Sequence, residues 1–145
     1  MIVIKNSREL SIMKEAGRIS ARALKIGGEA VEPGVTTAYI DNLIRKYIES
    51  QGATPSFLGY GGFPKSSCIS VNNVVIHGIP NDHCVLKQGD IVSIDVGAKF
   101  KGFHGYNAYT FACGDISKEA KALMDATKES LYEGINMAKV GNRIG

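Results

Sequence analysis

Residues 91–112 read IVSIDVGAKFKGFHGYNAYTFA, and no other stretch limits the fold as tightly. Two alternating apolar runs flank Lys101–Gly102, which predicts a β-hairpin with strands over 91–100 and 103–113. The alternation puts Val92, Ile94, Val96, Ala98 and Phe100 on one face and Ile91, Ser93, Asp95, Gly97 and Lys99 on the other. On the return strand Phe103, Tyr109 and Phe111 form a bulky face, and His104, Tyr106, Ala108, Thr110 and Ala112 a small or polar one. Asp95 therefore sits in mid-strand, where aspartate is disfavoured and costly to bury alone. Two readings stay open. Asp95 is a metal ligand, or it is a structural carboxylate paired with a backbone N–H or a lysine. The hairpin brings it opposite the Tyr106 region, within one residue of register.

The rest of the chain supplies helices for that hairpin. Ser7 is expected to cap a first helix with apolar residues at Met13, Ala16, Ile19, Ala23, Ile26 and Ala30, ended by Glu32-Pro33-Gly34. Thr36 or Thr37 starts a second, with Ile40, Leu43, Ile44, Tyr47 and Ile48 on one face and Gly52 beyond its end. Residues 53–66 read as a loop rich in glycine and proline, 68–72 and 74–77 as β-rich, and 78–89 as another loop. Ser117 caps a last helix to about Ala138. The order ααβββα predicts an α+β fold, an antiparallel sheet with helices on one face. A faint echo maps Leu24, Gly27, Val31 and Gly34 onto Leu131, Gly134, Ala138 and Gly141. It points to a first pseudo-repeat over about 1–113 and the start of a second over about 115–145, within one partial domain of 1–145.

Composition narrows the function classes. With 44% hydrophobic and 21% charged residues the chain is globular, and a net charge of +3 without a basic, aromatic-interleaved stripe argues against nucleic acid. No apolar run approaches the roughly 20 residues that span a bilayer, so no membrane partner is expected. Three cysteines, Cys68, Cys84 and Cys113, with no CxxC, suggest neither a disulfide framework nor zinc and fit a cytoplasmic location.

Several motifs carry less than their letters suggest. GYGGFPKS at 59–66 nearly spells a phosphate loop, but Pro64 has no N–H to offer and CISVN, a strand, follows where a helix is needed. Ser11-Ile12-Met13-Lys14 matches S-x-x-K without its companion motifs, on an amphipathic helix. His83-Cys84 are neighbours in a loop and do not face each other as a dyad would. His77 precedes Gly78-Ile79-Pro80, which would hold its ring at a cleft rim; a surface turn histidine is the plainer reading. Phe57, Tyr60 and Phe63 on a glycine-rich backbone suit a wall for an apolar ligand.

Together, GYGGFPKSSCISVNNVVIHGIP and LKQGDIVSIDVGAKFKGFHGYNAYTF resemble the N-terminal half of a type I methionine aminopeptidase, and the resemblance covers essentially the whole chain, including the helix–PGVTT–helix opening. It implies the pita-bread (creatinase/aminopeptidase-like) fold, two pseudo-symmetric halves around a dinuclear centre of cobalt, manganese or iron. It also implies removal of the initiator methionine from nascent chains at the ribosome. On this resemblance Asp95 matches the first metal-ligating aspartate and His77 a catalytic histidine at the scissile amide. Tyr60, Phe63 and Cys68 match the wall of the methionine pocket, and Phe57 sits where that wall is often smaller.

The departures matter as much. The second aspartate, which bridges both metals, falls at Tyr106, in HGYN where HGDN or HGDT is expected. A phenol with a pKa of about 10 is a poor ligand at neutral pH. The remaining ligands, a histidine and two glutamates, belong to the second half, so the chain keeps one ligand of five. It is therefore expected not to bind metal stoichiometrically and to be inactive alone. Alternatives are a non-catalytic binder of methionyl N-termini, or a truncated or engineered folding fragment that self-associates. Tyr106 is expected to occupy the place of Asp95's partner without pairing with it, leaving the carboxylate in need of a proton, a water or a lysine.

Overall fold

The computed structural model describes residues 3–143, and these divide into one compact unit ending at Asp115 and a second beginning at Ile116. In the first unit, helix α1 (Ser7–Glu29) and helix α2 (Thr37–Ser50) are followed by strands β1 (Thr54–Pro55), β2 (Ser67–Val71), β3 (Ile91–Phe100) and β4 (Phe103–Ala112), with a short 3-10 turn at Tyr60–Gly62. The second unit consists of helix α3 (Lys118–Met137). It is capped by Ser117, whose side chain accepts the Ala120 N–H.

The hairpin organises the sheet. Lys101 and Gly102 both have positive φ, 46° and 86°, the backbone a two-residue turn needs to match strand twist. Phe100 pairs with Phe103 and the register runs back to Ile91 with Ala112. On its other side β3 pairs antiparallel with β2 (Ile94 with Ile69) and then with β1 (Ala98 with Pro55). Val92, Ile94, Val96 and Ala98 are completely buried, packed with Ile19 and Ala23 of α1 and Ile40, Ile44 and Ile48 of α2. Both helices thus lie on one face of the sheet, the α+β arrangement expected from the sequence.

Close approach of α1 to β4 depends on small residues. A Cβ at Gly105 would lie 2.2 Å from the Ala16 carbonyl carbon, inside the helix backbone. Asn107 fastens the same contact, donating to the Gly17 carbonyl (3.2 Å) and to Ser20 Oγ (2.6 Å). β2 is held from the other helix. Buried Asp41 Oδ1 accepts from the Ser66 and Ser67 backbone N–H groups and from Ser67 Oγ, at 2.7 to 3.0 Å.

Three expectations are corrected. Asn6, not Ser7, caps α1, because its side chain accepts the Glu9 N–H while the Glu9 carboxylate accepts the Asn6 N–H, a reciprocal box that Ser7 cannot form. Residues 74–77 form no strand: the chain turns at Asn72 (φ 53°), His77 has φ 57°, and the outer edge of β2 is met by Gly78 instead. Thr54–Pro55, read as loop, is a short strand, too brief to show a period. Gly34 (φ 90°) and Gly141 (φ 95°), the last residues of the two echoed stretches, both have left-handed backbone.

Gly105→Ala is predicted to destabilise the fold by roughly 1–3 kcal/mol or more, because helix backbone cannot yield as a side chain can. Urea unfolding should show a lower midpoint at unchanged slope; an unchanged midpoint would contradict this packing.

Candidate functional site

The sheet face away from the helices carries the polar residues. Alternation along β3 sends Ser93, Asp95 and Gly97 there, and the register adds Ser70 and Cys68 from β2 and Thr110, Ala108 and Tyr106 from β4. Asp95 stands directly opposite Cys68 on one side and Ala108 on the other; Tyr106 stands opposite Gly97, one step along the same face.

Tyr106 leans back over that step. Its hydroxyl donates to Asp95 Oδ1 at 2.8 Å, which overturns the expectation that Tyr106 would leave Asp95 unpaired. The reason is reach: a diagonal neighbour lies about 7–8 Å away across the sheet, and a tyrosine is long enough to close it. Gly97 makes room, since a Cβ there would lie 2.8 Å from the Phe57 ring, and Phe57 packs on Tyr106 with centroids 6.2 Å apart, tilted by 52°.

Partial burial and then the Asp95 carboxylate push the Tyr106 phenol up to about 12. Tyr106 is 62% exposed, so of these two causes the hydrogen bond is the more secure, being fixed by geometry. Cys68 is buried, and burial, followed by the charges of Asp95 and Asp41, pushes its thiol up to about 11. Both groups are protonated at neutral pH.

The other expected residues are less gathered. Tyr60 is 81% exposed, in the 3-10 turn, and lines a shallow depression of about 530 Å³ with Glu49, Thr54, Ser56, Leu58, Lys99 and His104 among its walls. Phe63 is half-buried just after that turn. His77 is exposed on the 72–79 loop, and no hydrogen bond joins it to Asp95 or Tyr106 among the described residues. Its neighbour Gly78 is stitched to β2 through Ile69 N–H to Gly78 O (2.9 Å) and Gly78 N–H to Ser70 Oγ (3.1 Å). A Cβ at Gly78 would strike the Ile69 carbonyl at 2.2 Å, so this seam requires glycine.

The sequence reading missed two contacts here. His104 Nδ1 lies 2.9 Å from Ser56 Oγ, tying β4 to the segment after β1. The spacing of 48 residues gives no local signal. Asp41 was legible in principle, because it shares the i, i+3, i+7 face of Ile44 and Ile48, where a charge needs a purpose.

A divalent metal centre needs several oxygen or nitrogen donors. This face offers one carboxylate and a phenol whose proton points at it, and no group of three or more His, Cys, Asp or Glu side chains among the described residues could hold an ion. The residues present do not fit a dinuclear site.

The raised phenol has a pH consequence. A tyrosine favoured in its protonated form when folded contributes stability fully present below its unfolded value near 10, and lost as pH rises through about 12. In a spectrophotometric titration of the parent against Tyr106→Phe, the phenolate signal that disappears should have its midpoint near pH 12; a midpoint near 10 would contradict the hydrogen bond.

The model of Metallopeptidase family M24 matches residues 11–145. The methionine aminopeptidase of Clostridium acetobutylicum is 50% identical over 144 residues, 99% of this chain and 58% of the relative. The crystal structure of a methionine aminopeptidase from Thermotoga maritima superposes with a TM-score of 0.93 at 39% identity, covering 96% of this chain and 56% of that one. A Xaa-Pro dipeptidase from Bacillus anthracis gives 0.78 at 27% identity, over 90% and 35%. The sheet with its two helices is thus part of a pita-bread fold, and the chain spans little more than half the length of the methionine aminopeptidases it matches. On these matches the chain belongs to metallopeptidase family M24, and within it resembles the N-terminal half of the type I methionine aminopeptidases.

Proposed function

We propose that this chain carries the methionyl-recognition half of an initiator-methionine aminopeptidase and does not perform the metal-dependent hydrolysis by itself. The observation behind this is the 2.8 Å bond from Tyr106 Oη to Asp95 Oδ1, which commits an oxygen that the resemblance gives to metal. In this reading Asp95 is the retained ligand position, Tyr106 the lost one and His77 the histidine that would act at the scissile amide. Phe57, Tyr60, Phe63 and Cys68 surround the methionine side chain. The family's divalent ions, cobalt, manganese or iron, would polarise the amide carbonyl and supply the nucleophile in a complete centre. The reading carries with it a cytosolic setting, nascent N-termini at the ribosome as partners, and a second pseudo-repeat beginning near residue 115.

The peptide Met-Ala-Ser with cobalt or manganese tests the catalytic part. No methionine release above background is expected. Turnover near that of a full-length family enzyme would overturn it.

A second reading, non-catalytic capture of methionyl N-termini, is favoured by the gathering of Phe57, Tyr106 and Cys68 about Asp95. The fragment reading draws on a different surface. Val74, Val75, Ile76 and Ile79 are exposed side by side, Val75 at 87%, next to the outer edge of β2. Such apolar surface beside a strand edge favours association. Light scattering is expected to give the mass of a dimer or larger, reduced by Val75→Lys; a clean monomer at high concentration would count against it.

A further inference from the structure

The sheet has one long edge that nothing covers. β3 has β2 and β1 on one side and β4 on the other, so β4 is the outermost strand there. Phe100 and Phe103 close the two-residue turn, and backbone bonding to β3 then falls at every second residue of β4. The far side of β3 fixes the same phase. There the Gly97 carbonyl accepts the Ser56 N–H and the Ile91 carbonyl the Asn72 N–H, both away from β4, and these two residues stand opposite Tyr106 and Ala112. The backbone groups of His104, Tyr106, Ala108, Thr110 and Ala112 therefore point outward. Among the described residues, β4 bonds beyond its ladder with β3 only through side chains: Thr110 to Ser93, His104 to Ser56, Tyr106 to Asp95 and Asn107 to α1.

Exposed edges are ordinarily blunted by brevity, proline, charge or a covering segment. β1 is two residues long and ends in Pro55. The outer edge of β2 meets Gly78, whose carbonyl accepts the Ile69 N–H at 2.9 Å. β4 has none of these devices. Its ten residues, FHGYNAYTFA, hold no proline, Asp, Glu, Lys or Arg, and pair with β3 at every position without a bulge. His104, Tyr106, Ala108 and Ala112 are exposed. An open ladder of this kind takes another strand, and a second β4 fits it. An antiparallel strand paired with its own copy about a two-fold axis is self-complementary. The register that uses most of the outward groups centres on Ala108. It sets His104 opposite Ala112 and bulky Tyr106 opposite Thr110 of the second copy, with no like charges facing. Tyr109, 45% exposed on the other face, comes to stand opposite Asn107 of the second copy.

We propose that two copies of this chain pair antiparallel along β4, about a two-fold axis at Ala108, so that one sheet runs through both. This contact is separate from the Val74–Ile79 surface and does not rest on the methionyl-recognition reading. The test is amide hydrogen exchange of the whole chain, read residue by residue by NMR at low and at high concentration, with the mass followed by sedimentation. The amides of His104, Tyr106, Ala108, Thr110 and Ala112 should slow by about tenfold or more as the dimer forms. Those of Gly105, Asn107, Tyr109 and Phe111, already bonded to β3, should stay protected at both concentrations. Ala108→Pro removes an outward N–H and no bond to β3, so it should yield a monomer with those inner amides still protected. Val75→Lys should leave the β4 pairing in place. The exchange of the parent chain decides the matter even where the proline variant fails to fold. A monomer at every concentration would overturn the proposal, as would a dimer whose outward β4 amides exchange freely. Protection lost in Val75→Lys but kept in Ala108→Pro would place the contact beside β2 and overturn it too.

Discussion

Everything on the polar face depends on the pairing of β3 with β4. The Lys101–Gly102 turn sets the register, and the pleat then sends Ile94 and Val96 into the helical core while Asp95 faces the other way. A slip of one residue would invert both faces, burying a carboxylate against Ile44 and exposing the core residues. The helices lock that register. Gly105 lets the α1 backbone approach β4, and Asn107 bonds to it, while Tyr106 between them points to the opposite face. A chemistry-bearing position is thus flanked by two residues whose task is packing, which fixes where its side chain can go.

At that position the side chain changes the chemistry rather than the architecture. A carboxylate beside Asp95 would give two adjacent negative charges that a metal must neutralise. A phenol gives a donor, and its hydroxyl bonds Asp95 Oδ1 directly. The face holds a protonated phenol and a protonated thiol on either side of the Asp95 side chain.

Much of this was legible in the sequence because it is periodic. Alternation at Val92, Ile94 and Val96, helix spacing at Ile40, Ile44 and Ile48, and Lys101–Gly102 between two apolar runs each report local structure directly. What was missed is contact without period. The Asn6–Glu9 box was overlooked because Ser7 offered an equally good cap letter. The 74–77 segment looked like a strand because Val and Ile dominate it, but composition does not reveal that Asn72 and His77 turn the backbone. Sequence placed Tyr106 near Asp95 yet read it as filling the partner's place without pairing. Only geometry shows that the ring reaches diagonally across the sheet to bond the carboxylate.

We propose that Tyr106, by bonding Asp95 Oδ1, leaves this face without the donor set that a divalent ion needs. Site-resolved NMR during manganese titration tests it most directly, because paramagnetic broadening reports where the ion dwells. The account predicts broadening around Asp95 no stronger than at exposed carboxylates such as Glu119. Selective broadening centred on Asp95 and Tyr106 at low manganese would contradict it.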